Sequence, residues 1–231
     1  MERIAQITRN TNETQIKMTL NLDGSGKANI HTGIGFFDHM LNSFARHGFF
    51  DLDLQVNGDL EVDTHHTIED TGIVLGQAIR QAVGDKKGIC RYGSQILPMD
   101  EALVICALDL CGRPYLVYDL NLDREKVGDL ETEMVREFFY AVSYGGEMNL
   151  HLRQMSGSNN HHIIQIRGSD VSTGRFLQPR ITPFTDDRQL KRQCRDSQDT
   201  DVLLPIDFFL RHIHFRVQDI IRKVCFLQSL A

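Results

Sequence analysis

The sequence has no long apolar run, no basic excess and no regular cysteine framework, and each lack removes a class of function. Nowhere in the 231 residues do apolar side chains run for the length a membrane-spanning helix needs. The opening Met-Glu-Arg-Ile-Ala-Gln carries none of the apolar centre of a secretory signal. A net charge of −6 runs against general nucleic-acid binding, which draws on clustered lysine and arginine. Five cysteines, an odd number at irregular spacing, predict reduced thiols in a cytoplasmic protein rather than a disulfide scaffold. Cys106 and Cys111 lie in an apolar run and read as packing residues. Proline is scarce, and three of the five fall between residues 166 and 205, where periodicity also fades. What remains is an ordinary globular composition, 41% hydrophobic and 24% charged, enough to bury a core in one domain or two small ones.

Histidine is the residue in surplus. Of the ten, His39, His65, His66, His161 and His162 fall in or just upstream of two short motifs. The first is Asp63-Thr64-His65-His66-Thr67-Ile68-Glu69-Asp70, followed by Gly72, Leu75, Ile79 and Ala82 at helical spacing. On a helix His65 and Glu69 share a face, whereas His65 and His66 point roughly 100° apart. Adjacent histidines cannot serve one ion in the same way, but each can serve a different one. The pattern returns as His161-His162-Ile163-Ile164-Gln165, with an amide where the first copy has an acid. Imidazoles and carboxylates without cysteine point to manganese, iron, cobalt, nickel or zinc. In H-E-x-x-H the acid sits between the histidines as a base; here it follows them and reads as a ligand.

Along the chain, residues 2–9 and 14–22 alternate as strands, Asp23 to Gly26 is a turn, and Lys27 to Thr32 is a third strand. Glu13, between the first two strands, reads on spacing alone as a solvated loop acid. Gly33 to Met40 leads into a helix ending at Gly48, with His39 and His47 eight residues apart and near one face. For an isolated histidine there, a capping or partly buried role is the bland reading. Asp51 to Val62 alternates as one or two strands before the histidine helix, which stops at Gly84 to Gly88. Then come a strand at Arg91 to Ser94, the turn Pro98 to Ala102, strands at 103–110 and 116–122, a helix at 132–142 and a strand at 148–155. Gly157-Ser158-Asn159-Asn160 caps the element after them. His39 precedes His65 much as Glu137 precedes His161, so the spacing predicts a duplicated α+β half-domain. Its repeats are residues 1–88 and 89–165, each a mixed sheet backed by helices. Residues 166–231 form an atypical tail with an amphipathic helix at 206–228, His212 and His214 on its polar side or edge. Arg91 and Arg113 stand beside turn glycines, where they either clamp a phosphate or merely solvate the surface.

Residues 1–164 resemble imidazoleglycerol-phosphate dehydratases, the lyases of histidine biosynthesis. The matching stretches are Arg9 to Thr14, Gly33 to Met40, Ala45 to Gly48, Asp63 to Asp70, Pro98 to Ala102, Gly112 to Tyr115 and Gly157 to Ile164. The resemblance implies a duplicated fold of the ribosomal-protein-S5 domain 2-like type in 24-subunit shells, with active sites between subunits. It implies dehydration of D-erythro-imidazoleglycerol phosphate to imidazole-acetol phosphate with two manganese ions. Carried over by motif, the metal ligands are His39, His65, His66, Glu69, His161 and His162, with Glu137 where other members have histidine or glutamate. Arg91 and Arg113 contact the phosphate, His47 lies at the substrate pocket, and Glu13 and Asp100 handle protons.

Two departures bear on activity. Gln165 stands where the family closes its second metal set with glutamate, and an amide is the poorer ligand. Beyond Ile164 the resemblance stops, so the family's long closing helix and its Ser-x-Lys-Gly phosphate segment are expected to be missing. An abrupt stop one residue after an intact motif fits a shifted reading frame better than gradual divergence, and translating the other frames of the coding DNA decides it. The expectation is therefore a dehydratase, impaired in this chain. Against it stand a non-catalytic metal-binding or assembly relic of the same family and, less favoured, a metal-dependent hydrolase.

Overall fold

The computed structural model describes residues 3–173, with side chains to residue 166. The chain opens with a hairpin. Thr14, Ile16, Met18 and Leu20 alternate with polar residues, so β2 (Thr14–Asn21) has one buried face, and it pairs antiparallel with β1 (Ile4–Asn10). β3 (Ala28–His31), α1 (Gly35–Gly48), β4 (Asp51–Gly58) and α2 (His65–Val83) complete the first half. β4 lies antiparallel to β2 and parallel to β3, giving the sheet order β1-β2-β4-β3.

The second half repeats this. β5 (Tyr92–Met99), β6 (Ala102–Asp109) and β7 (Tyr115–Asp119) are followed by a small insertion, β8 (Lys126–Val127) with β9 (Leu130–Glu131). Then come α3 (Glu133–Gly146), β10 (Asn149–Ser156) and α4 (Asn160–Thr173). The sheet order is β5-β6-β10-β7, with β10 antiparallel to β6 and parallel to β7. The expected duplicated α+β architecture is present strand for strand.

The helices lie between the sheets. α2 backs β1 and β2, α4 backs β5 and β6, and across the repeat boundary α2 packs along α3 and α1 along α4. Glycine allows the closest approach: a methyl on Gly76 would fall 2.5 Å from the Val142 carbonyl oxygen, and one on Gly72 2.7 Å from that of Phe138. Because these contacts run in the same order along both helices, α2 and α3 are parallel and their first turns sit side by side. Ile68, Leu75, Ile79, Val135, Phe139 and Ile164 join in one core shared by the two halves.

The structure departs from the sequence reading in four places. β5 runs on through Pro98 where a break was expected; it is an edge strand, on which a missing N–H goes unnoticed. The stretch from Asp51 is one strand, finished at Gly58. The insertion β8–β9 was not anticipated, since two-residue strands carry no periodicity. A helix does follow the second histidine pair well past Ile164, because Asn159 caps its start and the backbone then continues to Thr173. No helix among the described residues is long and apolar enough to cross a membrane. The amphipathic helix expected at 206–228, with His212 and His214, lies outside the described residues.

Candidate active site

Both histidine pairs stand at helix starts built the same way. Asp63 Oδ1 accepts the backbone N–H of His65 at 2.8 Å, and Asn159 Oδ1 accepts that of His161 at 3.0 Å. Each side chain thus satisfies an amide that the helix leaves unpaired. Ring centroids lie 6.0 Å apart at 83° for His65 and His66, and 6.1 Å apart at 89° for His161 and His162. Neighbouring imidazoles therefore diverge, as helical geometry dictates. One turn on, Glu69 Oε2 lies 3.7 Å from His65 Nε2, and Gln165 Oε1 lies 3.0 Å from His161 Nε2.

The second histidine of each pair is gripped by carboxylates that the sequence reading missed. His66 Nδ1 lies 2.9 Å from Asp59 Oδ2, and His162 Nδ1 lies 2.9 Å from Glu101 Oε2. The Asp59 hydrogen bond raises the His66 pKa above the ordinary value; slight burial opposes it, and the charges of Asp59, Glu13 and Asp63 reinforce it. Glu101 is pulled down to about 2, first by His162 and then by the backbone N–H of Asn159. Its Oε1 accepts the N–H groups of Asn159 at 2.8 Å and Ser158 at 3.3 Å, so the same carboxylate also holds the turn that leads into α4. A partial signal was available: Glu101 sits in the β5–β6 turn, the counterpart of the β1–β2 turn that carries Glu13. Asp59 gave none beyond its place seven residues before His66.

The acids expected to handle protons are close by. Asp100 Oδ2 lies 3.6 Å from His162 Nε2, with its backbone at φ 48° in the tight turn. Glu13 is exposed on a loop braced by Thr11 Oγ1, beside an open polar depression that it lines with Asn57, Asp59 and Glu61. His39 reaches the second pair across the repeat boundary, its ring 6.5 Å from that of His161, with Phe36 edge-on to His161 at 5.1 Å. Glu137 holds the same offset in α3 that His39 holds in α1, and accepts a hydrogen bond from Arg136 at 3.0 Å. Asp129 caps α1 from the other repeat, taking the N–H groups of Gly35 and Phe36 at 2.6 and 2.9 Å.

The arginines lie elsewhere. Arg91 makes a two-point contact with Asp109, Nε to Oδ1 at 2.6 Å and Nη2 to Oδ2 at 3.0 Å, which lowers the Asp109 pKa and raises that of Arg91. Arg113 is exposed in the β6–β7 turn and adds its charge at Asp109. Lys86, in the loop after α2, donates to the Leu110 carbonyl at 2.8 Å and brings that loop to the same place. This end is separated from Asp100 and Glu101 by the length of β5, roughly 23 Å, and from His65 by the length of α2, roughly 28 Å. His47 lies roughly 12 Å along α1 from His39.

By type, the nitrogen and oxygen donors fit a borderline divalent cation. They come as two part-sets, His65 with His66 and Glu69, and His39 with His161 and His162. Among the described residues, no three histidine, cysteine, aspartate or glutamate side chains converge closely enough to hold an ion.

Comparison with known proteins is consistent with this geometry. Residues 32–167 match the family model described as imidazoleglycerol-phosphate dehydratase. The chain is 64% identical over 165 residues to the protein of that name from Lachnoclostridium phytofermentans, covering 71% of this chain and 84% of that one. It is similar to the imidazoleglycerol-phosphate dehydratase structure from Staphylococcus aureus, with a TM-score of 0.68 and 36% identity, over 76% of this chain and 98% of that one. The structure of the Pyrococcus furiosus protein matches with a TM-score of 0.65 and 32% identity, over 74% and 92% of the two chains.

Proposed function

This chain belongs to the imidazoleglycerol-phosphate dehydratase family, and we propose that it dehydrates D-erythro-imidazoleglycerol phosphate to imidazole-acetol phosphate at sites shared between copies of itself. The observation that carries the shared site is the separation just described. The histidine pairs and the phosphate-type arginines lie at opposite ends of β5 and α2, too far apart for one small substrate to touch both within a chain. The part-sets of donors point the same way, since each lacks the convergence an ion needs. A closed assembly in which one copy's histidines meet another's arginines satisfies both, and the family's 24-subunit shell is such an assembly.

In this scheme His39, His65, His66, Glu69, Glu137, His161 and His162 would hold two manganese ions. Bound divalent cations at these positions supply stabilisation of negative charge on the substrate's imidazole ring. Arg91, Arg113 and His47 orient the substrate, the arginines by charge-assisted contacts to its phosphate. Loss of water requires a proton to leave carbon and another to reach the departing hydroxyl oxygen as the carbon–oxygen bond breaks. Those protons we assign to Glu13 and Asp100: Asp100 lies 3.6 Å from His162, and Glu13 lines a depression with Asp59. Manganese, the cytoplasmic setting and the oligomer belong to this proposal.

Gln165 favours a second reading, a non-catalytic relic, because its amide sits against His161 where a carboxylate would complete the donor set. One experiment separates the two: metal-free full-length chain is titrated with Mn2+ while substrate dehydration is followed. Dehydration that requires the metal, at least about a hundredfold slower than in a complete family member, is expected. One bound Mn2+ per chain or none, without turnover, would establish the relic instead.

A further inference from the structure

The two carboxylates that grip the histidine pairs do more than brace them. A carboxylate is an acceptor only, so an imidazole Nδ1 within 2.9 Å of Asp59 or Glu101 must carry the proton. In the neutral rings that leaves the Nε2 lone pair of His66 and of His162 as the electron donor, the one on His162 lying 3.6 Å from Asp100 Oδ2. Of two chemically similar nitrogens, the protein has selected one in both repeats. It does so with unrelated parts: Asp59 from the loop before α2, and Glu101 from the β5–β6 turn.

We propose that Asp59 and Glu101 are paired positioning residues that fix His66 and His162 in the Nδ1–H tautomer, so that Nε2 is offered to a divalent cation. The proposal rests on reading those two histidines as metal ligands. Carboxylates behind ligating imidazoles set ring orientation and raise ligand basicity, and their loss costs about 10–100-fold in metal affinity. Glu101 carries a second duty that makes it the more exposed of the two to a subtle change. Its Oε1 is committed to the backbone N–H groups of Ser158 and Asn159, and its Oε2 to His162. A glutamine there must keep its oxygen on those N–H groups to hold the turn before α4, which turns its NH2 toward Nδ1. That ring nitrogen must then accept, the proton moves to Nε2, and the metal-facing lone pair is lost. At Asp59 both carboxylate oxygens face the same nitrogen, at 2.9 and 3.2 Å, and among the described residues no backbone amide donates to either. An asparagine there is free to present its oxygen and keep the tautomer.

The test uses full-length chain labelled with 15N-histidine, whose tautomers are read by long-range 15N–1H correlation without metal, with Mn2+ affinity measured by calorimetry on the same samples. Glu101→Gln should move His162 to the Nε2–H form and weaken Mn2+ binding about 10–100-fold while the helix content stays native. Asp59→Ala should weaken binding similarly, and Asp59→Asn should restore most of it. Unchanged tautomers and affinity in Glu101→Gln would overturn the proposal. If Glu101→Gln inverts the His162 tautomer but the unmodified chain binds no Mn2+, the hydrogen-bond lock stands and the metal-ligand reading falls.

Discussion

Gly76→Ala tests the contact on which the shared core depends. At an open helical position this substitution stabilises, because alanine has the better helix propensity by about 1 kcal/mol. At Gly76 the new methyl would sit 2.5 Å from the Val142 carbonyl oxygen, 2.6 Å from the Gly146 nitrogen and 2.9 Å from the Gly145 carbonyl carbon. All three are backbone atoms of α3 and cannot rotate away, so α2 and α3 must part by roughly 0.5–0.9 Å to reach ordinary contact. That loosens Gly72 against Phe138 and Gly145 against Ile73 as well. Overpacking costs about 1–3 kcal/mol and sometimes more. With three blocked directions the upper end applies, and after the propensity gain the net loss is about 2 kcal/mol. For a chain of this size that lowers Tm by roughly 4–8 °C. Urea unfolding with calorimetry measures both. Because α2 carries His65 and Glu69 beside the first turn of α3, Mn2+ affinity should fall too. The sign is decisive: a Gly76→Ala chain more stable than the parent would mean that the helices do not approach as described.

Three further outcomes follow from particular contacts. Burial raises the Asp129 pKa, but hydrogen bonds from the N–H groups of Phe36 and Gly35 outweigh it, so the folded value is depressed. Its contribution is therefore present above the ordinary carboxylate value and lost as pH falls through the folded one. Asp129→Asn should cost about 0.5–1 kcal/mol near neutrality, and its stability gap from the parent should close as acid is added; a constant gap from pH 6 to 2 would contradict the cap. Arg113→Ala should raise KM for the phosphorylated substrate roughly ten- to hundredfold while leaving affinity for free imidazole unchanged; equal effects would make Arg113 structural. Gln165→Glu should tighten the weaker of two Mn2+ events seen by calorimetry and leave phosphate affinity alone, and an unaltered isotherm would remove position 165 from the donor set.

The parts of this protein that were legible in its sequence are those written as local periodicity. The histidine helix announced itself through Ile68, Leu75 and Ile79, and the repeat through two copies of one motif. Pro98 misled because its cost depends on whether a strand lies at an edge, which is a property of the sheet and not of the segment. The partners of the histidines were hidden for a related reason. Glu101 is 61 residues from His162, and only the closing of the second sheet brings them together. Arg91 read as a free cation because Asp109 faces it only through the antiparallel register of β5 and β6, in which Tyr92 pairs with Asp109. The distance between the histidine pairs and the arginines became visible once β5 and α2 had lengths and directions.

The most direct test of a site shared between copies is complementation between two defective chains, assayed at substrate well below the parental KM. Glu69→Gln removes a donor at one end of the molecule, and Arg113→Ala removes a phosphate contact at the other. Co-expressed with different tags and purified through both, the mixed assemblies should regain about a quarter of parental turnover, since a random pairing of copies leaves that fraction of sites with neither defect. If each chain carried its own complete site, every site would keep one lesion. Mixed assemblies containing both chains yet showing no recovery over either variant alone would contradict the account.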